Sequence, residues 1–193
     1  KKNPLIIHYN NITSLKKDVI LNKNFFKLYK KYCPGPLTFV LKKNNKSKVV
    51  SLASAGLNTI AVRFPDHKII KSLLKIINFP LAMPSANLSS GLSPVSASDV
   101  YEEFKKKLKI IIDGGNSKVG IESTVIDLTK KPKILRPGII SSKEIKKYLR
   151  VSFSKKNKTI RSPGMMKKHY SPGIPIILGR NTKNLNHAQI TFG

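Results

Sequence analysis

Short polar segments follow several apolar runs in this sequence, and they contain the residues best suited to chemistry. "AMPSANLSSG" (82–91) comes directly after the apolar run "INFPLA". It offers hydroxyl and amide groups at Ser85, Asn87, Ser89 and Ser90. Gly91 lets a ligand approach the backbone closely, so the segment could bind a phosphate or a ribose. An ordinary polar turn is the alternative interpretation of this segment taken alone.

Four more segments place polar side chains next to strands or tight turns. They are "CPGPLT" with Thr38, "AVRFP" with Arg63, "GIESTV" with Glu122, Ser123 and Thr124, and "ILRPG" with Arg136. Arginine holds a carboxylate or phosphate with two parallel hydrogen bonds, whereas lysine acts as a point charge. Because the chain uses lysine for most of its cations, an arginine at a strand end indicates an anion-binding site. A surface ion pair is the alternative at each position.

Several kinds of catalytic centre find no support in the sequence. His8 ends a predicted strand, but there is no Ser-His-Asp order, no HExxH helix and no close pair of acids. Cys33 is the single cysteine, and with four scattered histidines it gives no zinc-ligand spacing. We therefore expect no protein-held metal and no covalent nucleophile. A reaction driven by positioning and charge stabilisation fits these residues best.

The elements that would position these residues alternate between strands and helices. Strands are predicted at 5–9, 37–41, 59–65, 81–83 and 109–113, and "STVIDLTKKPKILRPG" is predicted to form a hairpin. Helices are predicted at 25–32, at 66–78 with Asp66 as N-cap, at 96–108, and from Ser141, which forms a capping box with Glu144. In the second helix, Ile69, Ile70, Leu73, Leu74 and Ile77 share one face. The pattern predicts an α/β domain with a mixed sheet.

Composition limits the class of protein. The 193 residues contain no apolar run long enough to span a membrane and no signal peptide, which favours a cytoplasmic protein. The net charge of +28 has two explanations. One is a compositional bias towards Lys, Asn and Ile; the other is attraction to a polyanion such as RNA. The lysines are spread along the chain without interleaved aromatic residues, which favours the first explanation.

Both ends look cut, because the chain opens within a strand, without a methionine, and stops in what looks like another strand. We expect a main domain at 1–151, a Pro- and Gly-punctuated linker at 152–173, and the beginning of a further domain at 174–193.

The order of these motifs resembles that of the threonylcarbamoyl-AMP synthase family. The matching segments are "NPLIIH", "PGPLT", "AVRFP", "PSANLSSG", "GIESTV", "LRPG" and "SPGMMKKHYSP". The resemblance covers nearly the whole chain and is to the long form of the family. It implies a YrdC-like twisted mixed sheet with flanking helices, followed by the linker and the start of a small Rossmann-like domain.

The resemblance also implies an activity. It is a nucleotidyl transfer that forms threonylcarbamoyl-adenylate and pyrophosphate from L-threonine, bicarbonate and ATP, with Mg²⁺ accompanying the ATP. The product is used for threonylcarbamoyladenosine in tRNA, so the implied partners are a downstream threonylcarbamoyl-transferase complex and tRNA or other RNA, including double-stranded RNA.

By similarity, each ligand is assigned its own residues. Threonine would contact His8, Arg63, Met83 and Ser123. ATP would contact Asn3, Thr59, Ser85, Asn87, Ser93, Arg136 and Tyr170. Thr38, Thr124 and His169 are further candidates for the pocket.

One departure from the family pattern concerns the start of the chain. The family has a basic K-x-R-P element upstream of "NPLIIH", and here only Lys1 and Lys2 precede that motif. We therefore expect the chain as given to bind its substrates poorly and to be inactive alone. Two rival interpretations are a basic RNA-binding module and the carbamoyl-transfer domain of a hydrogenase maturation factor, and the linker motif favours the synthase.

Overall fold

The described strands form one mixed sheet, as predicted, and the sheet has eight strands. A computed structural model describes residues 3–88, 91–153, 160 and 163. The strands are β1 (Ile6–His8), β2 (Val19–Ile20), β3 (Leu37–Lys43), β4 (Thr59–Arg63), β5 (Leu81–Ala82), β6 (Thr124–Asp127), β7 (Lys133–Arg136) and β8 (Ser152–Phe153). Their order is β5-β1-β4-β3-β6-β7-β8, and β2 pairs with β3. Strand β1 is parallel to β4, β3 to β6 and β7 to β8, whereas the remaining pairs are antiparallel.

Five helices accompany the sheet in the described residues. They are α1 (Ile12–Lys16), α2 (Lys23–Tyr32), α3 (Lys68–Ile77), α4 (Ala97–Phe104), which continues as a 3-10 turn at Lys105–Lys107, and α5 (Ser142–Lys146). The side chains of Asn11 and Asn22 cap the first two helices. Ser96 with Asp99 forms a capping box on α4, and the predicted box of Ser141 with Glu144 is present on α5. None of the described helices is both long and apolar enough to cross a bilayer.

The larger apolar core covers one face of the sheet. Helix α2 contributes Phe25 and Leu28, and α5 contributes Ile145. The ring of Phe25 meets that of Phe39 on β3 edge-on, with centroids 4.9 Å apart. A second, smaller cluster is formed by Ile6, Val40, Ala61 and Val125. These four alternate along their strands with residues of the larger core, so they lie on the opposite face. That face carries the candidate site.

Two predictions about local structure are wrong. Residues 109–113 are not a strand, and Ile110 and Ile112 are 80% and 62% exposed. A run of β-branched residues forms a strand only beside the edge of another strand, and none of the described strands pairs with residues 109–113. Asp66 does not cap α3, because the helix begins after His67 and has no side-chain cap. Asp66 instead forms an ion pair with Lys71 at 3.2 Å.

Other elements differ from prediction in extent. Helix α4 ends at Phe104 rather than at Leu108, where the chain turns at Lys105 with φ of +46°. Of the apolar face predicted for α3, only Leu74 is buried within the described structure. Two short strands and one short helix were not predicted: β2, β8 and α1. Strand β8 lies within the predicted linker, where Ser152 and Phe153 pair with β7.

Candidate functional site

Polar side chains of four strands, together with Val125 of a fifth, lie in one row across the sheet, at a single end of these neighbouring strands. In the strand register His8 pairs with Arg63, Arg63 with Thr38, Thr38 with Val125, and Val125 with Arg136. Residues paired directly across strands point to the same face. Ile6, Val40 and Ala61 of the smaller apolar cluster lie on the same face, two residues along their strands from His8, Thr38 and Arg63. Sequence positions far apart therefore converge at one place.

A cavity of about 280 Å³ opens above this row. Six of its lining residues were predicted from the sequence: Asn3, His8, Arg63, Met83, Ser85 and Arg136. Five were not: Leu5, Ile6, Pro84, Glu122 and Pro163. The volume lies just below the ~300–1,000 Å³ of typical small-molecule sites. It suits a small metabolite or one end of a larger ligand.

Arg63 is held at the cavity by the turn that precedes β3. Its Nε donates to the carbonyl oxygen of Gly35 at 3.1 Å, and the amide of Gly35 donates to Phe64 at 2.8 Å. A Cβ at Gly35 would lie 2.6 Å from the carbonyl oxygen of Tyr32, so the turn requires glycine there. Burial lowers the pKa of Arg63, and the charge of Arg136 adds to this, whereas Glu122 raises it. An arginine remains charged under such conditions.

Arg136 is fixed by a buried network around Ser123. Its Nε and Nη2 donate to the backbone oxygen of Ser123 at 3.2 and 3.0 Å, and Nη2 also contacts Ser123 Oγ at 3.1 Å. The hydroxyl of Ser123 in turn lies 2.8 Å from that of Thr38. Thr38, Ser123 and Arg136 are all nearly inaccessible to solvent. Thr38 and Ser123 therefore do not line the cavity. They affect it indirectly, by holding Arg136 in place.

His8 is neutral in this environment. Burial lowers its pKa to about 4, and the positive charge of Arg63 acts in the same direction. Its Nδ1 lies 3.2 Å from the backbone oxygen of Ile6, which can only accept. A neutral imidazole carries one N–H, and the backbone oxygens of Ile6 and Leu81 both lie beside the ring as acceptors for it. A cavity with two cationic donors thus also contains one neutral imidazole.

Glu122 lies in the predicted polar segment "GIESTV", but the sequence did not indicate a role for it. Its Oε2 lies 3.3 Å from Arg136 Nη2, and its Oε1 accepts from Ser93 Oγ at 2.8 Å. The sequence signal was its position beside Ser123 in "GIESTV". Ser93, predicted to contact ATP, is placed against Glu122 instead of in the lining of the cavity.

The remaining candidates lie at different distances from the cavity. Thr59 is buried at the opposite end of β4 from Arg63, where it pairs with Lys42. Thr124 donates to the backbone oxygen of Ile140 at 2.7 Å. The amide of Asn87 donates to Leu88 and Gly91, while its Oδ1 is buried without a partner. His169, Tyr170, Ser89 and Ser90 lie outside the described residues. Pro163, from the predicted linker, lines the cavity.

The described residues near the cavity include neither a metal-binding cluster nor a reactive thiol. No group of three or more His, Cys, Asp and Glu residues is arranged to hold a metal within residues 3–88 and 91–153. Cys33 follows α2, and burial raises the pKa of its thiol to about 12 despite the opposing charge of Arg63. The thiol is therefore protonated and a poor nucleophile at neutral pH.

Two fixed arginines, a neutral histidine and buried hydroxyls at one end of a mixed sheet define an α/β protein with a cavity lined by cationic side chains. Comparison with known proteins then identifies the family. The Sua5, YciO and YrdC family model, described as telomere recombination, matches residues 1–138. A model described as the C-terminal domain of threonylcarbamoyl-AMP synthase matches residues 140–191. The chain belongs to the Sua5, YciO and YrdC family.

Curated relatives carry the name threonylcarbamoyl-AMP synthase. The protein from Pyrococcus abyssi is 43% identical over 188 residues, which cover 91% of this chain and 54% of that protein. The Bacillus subtilis protein is 36% identical over 184 residues, covering 91% of this chain and 53% of the relative. The chain thus spans about half the length of these relatives.

Solved structures show the same fold. The P. abyssi Sua5 structure complexed with L-threonine has a TM-score of 0.80 and 40% identity, covering 88% of this chain and 52% of that one. Escherichia coli YciO has a TM-score of 0.65 at 24% identity, covering 75% and 70% of the two chains, which is a likeness of fold alone.

Proposed function

We propose that this chain provides the substrate cavity of an L-threonylcarbamoyladenylate synthase, a nucleotidyltransferase. The main observation behind the proposal is that Arg63 and Arg136 line one cavity. The reaction must bring the carboxylate of threonine and a phosphate of ATP together, and two arginines suit these two anionic groups. The similarity to a Sua5 structure that contains L-threonine supports it. The substrates would be L-threonine, bicarbonate and ATP.

Threonine would occupy the side of the cavity that contains Arg63 and His8. The guanidinium of Arg63 suits the α-carboxylate, because charge-assisted pairs are strong where water is excluded. The neutral imidazole of His8 would lie beside the amino or hydroxyl group of the amino acid. Met83 offers an apolar contact to the methyl group, and Ser123 would act through its hold on Arg136.

ATP would place its reacting phosphate near Arg136 and extend beyond the described cavity. Ser85 and Asn3 line the same space, and the buried Oδ1 of Asn3 has no protein partner. Asn87 shapes the loop that carries Ser85. Roles for Thr59, Ser93, Tyr170 and His169 rest on the family resemblance. The volume of about 280 Å³ accommodates threonine and a phosphate more readily than a whole nucleotide.

The proposed chemistry needs no covalent nucleophile from the protein. The amine of threonine adds to bicarbonate with loss of water, giving a carbamate. A carbamate oxygen then attacks the α-phosphorus of ATP, and the bond to the bridging oxygen breaks to release pyrophosphate. The chain contributes orientation and positive charge. Phosphoryl transfer is accelerated when the reactants are held in position and the developing charge is stabilised. Mg²⁺ typically binds phosphates, waters and one or two carboxylates, so it would enter with ATP and screen the pyrophosphate charge.

Contacts with tRNA and with a downstream threonylcarbamoyl-transferase complex stay predictions from the resemblance. A cytoplasmic location stays a prediction from the composition of the sequence.

Pyrophosphate release tests the proposed function. The full-length gene product and the 193-residue chain are assayed with ATP and Mg²⁺, with threonine and bicarbonate present, and with each omitted in turn. We expect release by the gene product to depend on both, and mass spectrometry to detect threonylcarbamoyl-adenylate. Equal release without threonine would refute the synthase assignment. Serine and valine in place of threonine are the matched controls for the amino acid.

A further inference from the structure

Glu122 is a carboxylate in a cavity whose arginines suit anions. By charge alone, a carboxylate beside Arg63 and Arg136 weakens the binding of a phosphate or another carboxylate, and the effect is large where water is excluded. It is also the one acidic side chain among the described residues that line the cavity. Its presence therefore calls for a role other than direct contact with an anionic ligand.

Both carboxylate oxygens of Glu122 are engaged by the protein. Oε2 lies 3.3 Å from Nη2 of Arg136, and Oε1 accepts a hydrogen bond from Ser93 Oγ at 2.8 Å. The side chain of Arg136 is only 7% exposed and that of Glu122 is 28% exposed. This pair is far less hydrated than a surface ion pair, so the contact can determine where the guanidinium lies.

Within the described residues, the contacts of the Arg136 guanidinium are all made by its Nε and Nη2 atoms. Ser123 receives hydrogen bonds from Nε and Nη2, and Glu122 contacts the same Nη2. No protein acceptor for Nη1 is found in the described part of the chain. Holding the Nε and Nη2 edge leaves the two Nη1 hydrogens as the donors that can reach a ligand.

Glu122 also moderates the repulsion between the two arginines. Arg63 and Arg136 are close enough for the charge of one to affect the ionisation of the other, and Glu122 has the opposite effect on Arg63. Two like charges in one buried cavity tend to move apart. A carboxylate that pairs with Arg136 and also attracts Arg63 favours the arrangement in which both remain at the cavity.

The backbone of Glu122 is itself fixed. Its carbonyl oxygen accepts from the amide of Ile139 at 3.3 Å. The turn at Gly138 packs against it so closely that a Cβ there would lie 2.4 Å from the same oxygen. Glu122 is therefore a rigid anchor, and the contact through Ser93 attaches the 91–95 loop to it.

We infer that Glu122 is a positioning residue, which holds Arg136 and links it to the Ser93 loop so that the Nη1 edge is presented to a phosphate group. The identity of that ligand as the phosphates of ATP rests on the proposed function. A purely electrostatic role would have the opposite consequence, because loss of a negative charge would strengthen anion binding.

The test compares Glu122→Gln and Glu122→Ala in the full-length gene product. Dissociation constants for ATP and for inorganic pyrophosphate are measured by calorimetry. We expect Glu122→Ala to bind both at least roughly tenfold more weakly, as for the loss of a hydrogen bond to a charged group. Glu122→Gln keeps an acceptor for Ser93 and Arg136, so it should lie between Glu122→Ala and wild type. Glu102→Gln removes the same charge at an exposed position and should change neither constant.

Unchanged or tighter binding of both ligands in the Glu122 variants would overturn the inference. If Glu122→Ala has no cooperative melting transition, Glu122→Gln still decides, because positioning predicts weaker binding and charge alone predicts tighter binding. Weak pyrophosphate binding in the variants without any threonine-dependent turnover in wild type would contradict the proposed function and leave the role of Glu122 supported. A wild-type protein that binds neither ATP nor pyrophosphate would contradict both.

Discussion

The hydroxyl oxygens of Thr38 and Ser123 lie 2.8 Å apart in the interior, and Ser123 also accepts hydrogen bonds from Arg136. This connects the first residues of β3 to the arginine at the end of β7 through two buried hydroxyls. Hydrogen-bonded networks of this kind fix side chains because a member left without its partner is costly. Besides Glu122, residues that do not line the cavity therefore help to determine the position of Arg136.

A double-mutant cycle measures this connection. Thr38→Val and Ser123→Ala each remove one hydroxyl, and each should lower the free energy of unfolding by about 1 to 3 kcal/mol. The double variant should be less destabilised than the sum, because neither partner is then left alone. Chemical denaturation of the four proteins provides the values. Additive effects would show that the two hydroxyls are not coupled.

Substitution of Arg63 should mainly impair the use of threonine. Arg63→Ala is expected to weaken threonine binding by about 2 to 4 kcal/mol through loss of a charge-assisted pair. Arg63→Lys should recover only part of this, since lysine cannot reproduce the planar pair of donors. Titration with threonine and with ATP separates the effects, and Lys71→Ala removes a cation from the exposed α3 as a control. An unchanged affinity for threonine in Arg63→Ala would exclude this role.

Replacement of Ser85 and Asn87 by alanine should weaken ATP binding more than threonine binding. Ser85 lines the cavity, and the amide of Asn87 holds Leu88 and Gly91 in place. Calorimetry with each ligand measures both affinities. The reverse pattern would mean that the division of the cavity between the two substrates is mistaken.

Burial of His8 predicts a dependence of stability on pH. Its pKa is about 4 in the folded protein and 6.5 as the ordinary value, so between these two the unfolded chain binds a proton that the folded chain does not. The contribution is fully present above pH 6.5 and is lost as the pH falls towards 4. Its size is about 3 kcal/mol, at 1.36 kcal/mol per pH unit.

Urea denaturation between pH 4 and 7.5 checks this prediction. The wild type should lose more stability than His8→Gln across the range, because the variant lacks the titrating group. His67→Gln, at an exposed histidine, is the matched control substitution. Parallel profiles for wild type and His8→Gln would contradict the neutral, buried histidine.

Gly138→Ala should disturb the loop that holds Glu122 and Ser123. The added Cβ would lie 2.4 Å from the oxygen of Glu122 and 2.5 Å from the nitrogen of Thr124, and backbone atoms cannot easily move aside. We expect a loss of about 1 to 3 kcal/mol in the free energy of unfolding, as for other overpacked sites. ATP affinity should fall as well. A thermal melt and one ATP titration provide both results, and wild-type behaviour in both would show that the turn tolerates a side chain.

Much of the fold could be predicted because its elements are locally encoded. The capping box at Ser141 and the apolar periodicity of α2 are both visible in the sequence, and the structure contains them. Residues 109–113 show the limit of this approach. Their β-branched side chains favour a strand, but strand formation depends on a partner edge that propensity does not reveal.

The site was predicted only in part, because contacts between neighbouring strands are not visible in the sequence. Arg63 and Arg136 could be recognised because arginine at strand ends is unusual in this lysine-rich chain. Glu122 was not assigned, because its importance depends on the register that places it against Arg136 and Ser93. Thr59 illustrates the converse, since it shares a strand with Arg63 but lies at the other end. Spacing along the chain does not give cross-strand distances.

The central claim is that one cavity seats an amino acid beside a nucleotide. Nuclear relaxation of the threonine methyl protons tests it directly, with Mn²⁺–ATP as the paramagnetic probe bound to the full-length gene product. We expect strong, distance-dependent relaxation that appears only when protein, threonine and Mn²⁺–ATP are all present and that disappears in Arg63→Ala. Threonine that binds with normal affinity but shows no paramagnetic relaxation would place the two ligands in separate sites and contradict the account.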